Sequence, residues 1–286
     1  MRPRVSTVLR HRIGAVSVTF LVLVALLAVF GPLLAPYDPL QQNQDALLQG
    51  PSAQHLLGTD NLGRDELSRL LAGSRLSLLA ALEAVVVGLV LGTVPGLLSV
   101  YLGRAFEWTT LRVMDAFVTL PFLVFAVAMT ALLGNGLTQA MLAVGILVSP
   151  AFYRVTRAAA FPVAGSQYVE AARLTGASAW FVLRRHVWPK VLPAVAVTTA
   201  TTLGSSLVIV SSLTFLGIGI RPPEPTWGGM LATSLEYLFP RPTAPLAPAL
   251  LVILTVGACN GLADTLRDVT GVSARSSRKE KVRAAA

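Results

Sequence analysis

The chain has 286 residues, 54% of them hydrophobic and only 13% charged, with a mean hydropathy of +0.67; a soluble domain carries roughly twice that charged share. The net charge is +9, a balance that alone would admit a nucleic-acid partner, but the cations lie between apolar runs rather than along one soluble face, which sets nucleic acid aside. The one cysteine, Cys259, sits in an apolar run and His11, His55 and His186 are scattered, so neither a disulfide framework nor metal-ligand spacing is present.

A helix needs ~20 apolar residues to cross a bilayer, and six such spans can be drawn. They cover residues 13–30, 76–101, 113–133, 137–153, 193–219 and 246–266. Arg2, Arg4, Arg10 and Arg12 precede the first, as in a signal peptide, but the run is long and no small-residue cleavage site follows, so an uncleaved helix is expected. With the N-terminus inside, 18 of the Lys and Arg residues fall on the inner side and 5 on the outer, namely Arg64, Arg69, Arg75, Arg221 and Arg241. Inner loops gather such cations. The expected fold class is all-α and integral to the membrane, with about six spans and both termini in the cytoplasm.

The segment between the fourth and fifth spans, residues 154–192, is the longest inner loop. It contains Tyr168-Val169-Glu170-Ala171-Ala172-Arg173-Leu174-Thr175-Gly176-Ala177-Ser178. Ser166 can cap a short helix, Glu170 falls in its first turn where the helix dipole favours an acid, and Gly176 can end it in the left-handed conformation. Ser178 can start a second helix that stops around Pro189. Ala171 and Ala172 leave a smooth face for another protein. An amphipathic helix lying on the membrane, anchored by Trp180, Phe181 and Trp188, is the plainer alternative.

Glu170-Ala171-Ala172 with Arg173, then Gly176, then Leu192-Pro193 ahead of a span, resembles the EAA loop of ABC importer permeases. The resemblance implies the type I ABC importer permease fold, with this loop as the helix that docks on an ATP-binding subunit.

Two further stretches narrow the likeness. Outside, before the second span, stand His55-Leu56-Leu57-Gly58-Thr59-Asp60-Asn61-Leu62-Gly63-Arg64-Asp65, then Ser68-Arg69 and Gly73-Ser74-Arg75. By composition this is an ordered loop held by side-chain-to-backbone bonds, and it is similar to the N-terminal region of C-type permeases of dipeptide, oligopeptide and nickel importers. After the fifth span, Thr214-Phe215-Leu216-Gly217-Ile218-Gly219 leads into a Pro-rich outer turn with Trp227 expected at the interface level. That stretch, and Asn260, Gly261, Asp264, Arg267 and Asp268 of the last span, are similar to the same family. Lys190 and Trp188 depart from its usual residues.

The resemblance implies partners: a second homologous permease, two ATP-binding cassette subunits, an extracytoplasmic substrate-binding protein, and the lipid of a bacterial inner membrane. The implied division is residues 1–74 for the tail, first span and outer segment, 75–267 for the transmembrane domain, and 268–286 for a basic cytoplasmic tail. No catalytic residue, metal or cofactor is expected; Lys190, Lys279 and Lys281 do not follow a glycine as a phosphate-binding loop requires, so ATP hydrolysis is expected of partner subunits. Substrate contacts are left open; Ser205, Ser206, Ser211, Ser212 and Thr214 make the fifth span polar, but such serines more often bond backbone. Gly88, Gly92 and Gly96 form a close-packing stripe on the second span, inside the subunit or against another. A secondary carrier is the alternative, weakened because Glu83 is the one acid within a span and no internal repeat is visible. A non-transporting scaffold is the other.

Overall fold

The computed structural model describes residues 5–134, 136–219 and 223–271. Asn135 of the expected outer turn, residues 220–222, Arg2, Arg4 and the basic tail after Gly271 lie outside them. All the named elements among the described residues are helices, joined by loops that hold one isolated bridge between Thr59 and Asp65.

A short helix α1 (Val5–Arg10) leads into the long apolar α2 (Arg12–Leu34), which ends where Ala35 turns extended ahead of Pro36. An ordered loop follows. Helix α3 (Glu66–Leu98) then starts at Asp65, whose carboxylate accepts the Ser68 N–H at 2.8 Å and the Ser68 hydroxyl at 2.7 Å. The second span thus begins ten residues before the apolar run suggested, because this cap and the ion pairs around it extend the helix into polar sequence. The expected division at residues 74 and 75 falls inside α3, which runs on without a break.

The expected third span is two helices. Helix α4 (Arg104–Thr119) and α5 (Phe122–Leu133) meet at a 99° bend. Pro121 supplies no N–H and pushes Leu120 into extended backbone, with ψ 129, so the helix cannot continue. Helix α6 (Leu137–Ala164) runs eleven residues beyond the expected end of the fourth span. After α7 (Gln167–Leu174) and α8 (Ala179–Val182), the chain does not stop at Pro189. Residues Leu183–Val187 widen into a π-turn in which the Trp188 N–H reaches Leu183. That widening gives the Pro189 ring room in the first turn of α9 (Trp188–Phe215). A short α10 (Trp227–Glu236) and α11 (Leu246–Thr270) complete the described helices.

By length and composition five stretches can cross a membrane: α2, α3, α6, the unit Ala179–Phe215 and α11, with α4 and α5 making a sixth if the bent pair is one span. The centre is α3 against α6, side by side and parallel. Their backbones meet through the glycine stripe: a Cβ at Gly92 would lie 2.2 Å from the Ser149 carbonyl oxygen and 2.6 Å from Phe152. Gly88 faces Val148 and Gly145, and Gly96 faces Tyr153 and Thr156. The stripe therefore packs within the subunit. Helix α9 joins α3 and α6 in the core with Leu207, Val210 and Leu213, and α11 lies antiparallel to α9, with Cys259 against Gly204.

Candidate functional site

The bundle has two unlike polar ends. At one, the α2–α3 loop is locked against the chain just before α11. Asp60 accepts the Leu62 and Arg64 N–H groups at 2.9 and 3.0 Å and pairs with the Arg64 guanidinium at 2.7 Å, with Arg69 at 3.4 Å. His55 meets Asp65 at 2.9 Å. Arg241, only 4% exposed, reaches in from the far end of the sequence. It donates to the carbonyls of Gln49, Thr59 and Leu57, the last two at 2.8 Å, and lies 3.6 Å from the Glu66 carboxylate. The expected side-chain-to-backbone loop is therefore present. Sequence reasoning missed its keystone, since Arg241 stands 175 positions from Glu66 in a stretch with no motif. Trp227, expected at the interface level, is fully buried within the protein, its indole N–H on the Leu70 carbonyl at 3.2 Å and its backbone N–H on the Ser77 hydroxyl at 3.0 Å.

At the other end α7 is docked under α3 and α6. Ser166 occupies the cap position, but its hydroxyl turns back to the Val163 carbonyl at 2.5 Å and caps nothing in α7. Val169 is fully buried and belongs to the hydrophobic cluster that also holds Val182, Val187 and Phe152. Gly176, at φ +85, closes α7: its N–H bonds to the Arg173 carbonyl and that of Ala177 to the Ala172 carbonyl, both at 3.0 Å. Ser178 then caps α8, accepting the Phe181 N–H at 3.2 Å. Arg173 stacks over the Tyr101 ring at 5.4 Å.

The expected docking face is brought together only in part. Glu170, Ala171 and Arg173 are exposed on α7, and Leu174 at its tip is 84% exposed. Ala172 is turned inward, packed with Ala177 against the valine cluster. Its contact is thus with its own chain, because the turn after α7 folds back over that side of the helix. Leu192 is exposed and Pro193 half-buried, both already inside α9 and away from the α7 tip in sequence. Leu174 and the neighbouring exposed Tyr168 were not singled out by sequence; an apolar side chain at a loop helix tip was the available signal. The rings of Trp180 and Phe181 are exposed as well, and Phe181, like Tyr168, lies against His186.

Among the serines of α9, Ser205 and Ser212 bond back to the Thr202 and Val208 carbonyls at 3.1 and 2.9 Å. The buried hydroxyls of Ser206 and Ser211 have no protein partner.

The bundle thus carries a glycine-closed helix on one end and a locked polar loop on the other, with helices long and apolar enough to cross a membrane between them. The family described as binding-protein-dependent transport system inner membrane component matches residues 70–271, and this chain belongs to it. The N-terminal transmembrane domain of oligopeptide transport permease C matches residues 7–51. Among relatives, the di/tripeptide transport system permease protein DppC of Pseudomonas aeruginosa is 40% identical over 265 residues, covering 90% of this chain and 88% of that protein. The glutathione transport system permease protein GsiD of Pectobacterium atrosepticum is 36% identical, covering 91% and 87%. In fold the chain is similar to a protein of the MetNI methionine ABC transporter in its inward-facing conformation. The TM-score is 0.57 at 20% identity, over 70% of this chain and 95% of that one.

Proposed function

We propose that this permease subunit encloses, with a second homologous permease, a path for di- or tripeptides or a related small peptide such as glutathione. It takes its driving force from ATP-binding subunits docked on α7. The α7 end is then cytoplasmic and the α10 end faces a substrate-binding protein in a bacterial inner membrane, with both termini inside. What supports this orientation is the charge asymmetry, strengthened by the pairing of Arg64, Arg69 and Arg241 with acids of the same chain at the α10 end. ATP hydrolysis is assigned to the partners, and no residue of this chain is given a catalytic role. Closure of the ATPases around ATP selects between two states of the path.

The observation that carries the reading is α7 itself: a short helix anchored by Val169 and closed by Gly176, presenting Ala171 and Leu174 outward. A small residue beside an exposed leucine suits a groove on a rigid partner, where a bulky group has no room. Peptide cargo is supported by relatives that align over nearly the whole chain. The test is uptake by the assembled transporter carrying Ala171→Trp or Leu174→Asp. Each should reach the membrane normally, lose more than tenfold in uptake of a di- or tripeptide, and retain less ATPase subunit through purification. Unchanged uptake and association in both would remove α7 as the coupling surface.

A further inference from the structure

Movement at α7 has to reach the path, and the chain contains a tie that could carry it. Helix α4 climbs antiparallel to the lower half of α6, and three polar contacts bind the two. The Arg157 guanidinium grips Glu107. The Thr110 hydroxyl meets the Tyr153 hydroxyl at 2.8 Å. Arg154 pairs with Asp115 at 2.8 Å. Helix α6 in turn runs into α7 with only Gly165 and Ser166 between them, and the Ser166 N–H and hydroxyl both bond the Val163 carbonyl. A displacement of α7 therefore has no slack segment in which to be absorbed before it reaches α6.

At its upper end α4 stops at Leu120 and Pro121, where the backbone is already free of the helical ladder and α5 departs at 99°. Pro121 can donate no hydrogen bond across that corner. The corner is the place at which α4 and α5 can change their mutual angle without breaking a helix.

We propose that Glu107 and Asp115 are positioning residues for transport. Through Arg157 and Arg154 they bind α4 to α6, so that α4, α6 and α7 move as one body and α5 pivots against them at Pro121. The inference rests on α7 being the coupling surface. It adds which elements move together and which side chains hold them.

A buried packing role and a transmission role differ in what they leave intact. Arg154 and Asp115 are each about half exposed, at 52% and 48% of their side chains, so reversing either leaves no charge sealed in the core. The experiment uses the assembled transporter with Asp115→Arg, Arg154→Asp and both together, and the same set for Glu107→Arg and Arg157→Glu. Complex yield, basal ATPase rate and peptide uptake are read for each. The expected result is normal yield and ATPase rate with a loss of more than tenfold in uptake for single reversals, and recovery to within about threefold in the paired swaps. A second measurement opens no cavity in the core: cysteines in place of the half-exposed Asp115 and Arg154, joined by a short crosslinker, should restore the uptake that the unlinked double variant loses. Normal uptake in the single reversals, no recovery in the swaps, or no recovery on crosslinking would each overturn the proposal. Gly176→Val run in parallel separates the two levels. If it transports normally, the coupling reading itself has failed. If it does not, a negative result from the reversals falls on the α4–α6 tie alone.

Discussion

Two single residues decide whether the polar ends hold their shape. Gly176 sits at φ +85 with open space where a Cβ would stand, so any cost of substitution comes from the backbone. An ordinary side chain there costs about 1 kcal/mol. Asparagine tolerates the left-handed region better than other residues. Uptake should accordingly fall in the order Gly, Asn, Ala, Val at this position, measured at matched expression; a flat series would show that the turn is not needed in its present form. Ala172 is the instructive contrast with Ala171. The sequence pattern puts the two alanines on one docking face, yet only Ala171 is outward. Ala172→Trp would damage the subunit's own valine cluster and so reports on folding. Arg241 is the second deciding residue. Its removal leaves the buried Glu66 carboxylate without its counter-charge and the Thr59 and Leu57 carbonyls without a donor, while the Gln49 carbonyl keeps the Thr59 N–H. Breaking such a pair costs about 3 kcal/mol or more. Arg241→Ala should lower the melting temperature of the purified complex and open the loop of residues 49–59 to proteolysis, and an unchanged melting profile would contradict the keystone role.

At the scale of elements, apolar runs marked every membrane-crossing stretch, but not where helices begin or end. Periodicity and composition see side chains of one segment, whereas the start of α3 depends on Asp65 capping it and on Arg241 arriving from far along the chain. The α4–α5 corner was legible in principle, since Pro121 interrupts the run. The continuation of α8 into α9 past Pro189 was not, because a π-turn is a response to packing with no residue code of its own. The glycine stripe of α3 was visible by its spacing, and the structure adds its partner, α6. With Gly92 only 2.2 Å, by its missing Cβ, from the Ser149 carbonyl, Gly92→Leu must push the two central helices apart. Overpacking of this kind costs about 1–3 kcal/mol. The variant should show reduced thermal stability and low complex yield, whereas the same substitution at Gly257, where a Cβ meets nothing within 4 Å, should be tolerated. Equal tolerance at both positions would mean that the α3–α6 contact does not limit stability.

For the whole molecule, the arrangement separates two tasks along one axis. The α10 end is held by buried ion pairs and by Trp227, and presents a fixed surface. The α7 end is tied to the core by Val169 and to α4 through α6, and presents a small exposed helix tip. On the proposed function, the first surface would receive a loaded binding protein and the second would couple to the ATPases. The family and the broad partner set were readable from the loop motif together with the charge asymmetry. The α4–α6 contacts were not, because Glu107–Arg157 and Asp115–Arg154 join residues some forty to fifty positions apart that no local pattern relates. The most direct measurement of the central claim is site-specific photocrosslinking in the assembled transporter, from Ala171 at the α7 tip and from Phe239, 102% exposed at the α10 end. The account predicts that Ala171 yields an adduct with an ATP-binding subunit, and that Phe239 yields none with it and captures the substrate-binding protein. An ATPase adduct from Phe239, or none from Ala171 in an active complex, would contradict it.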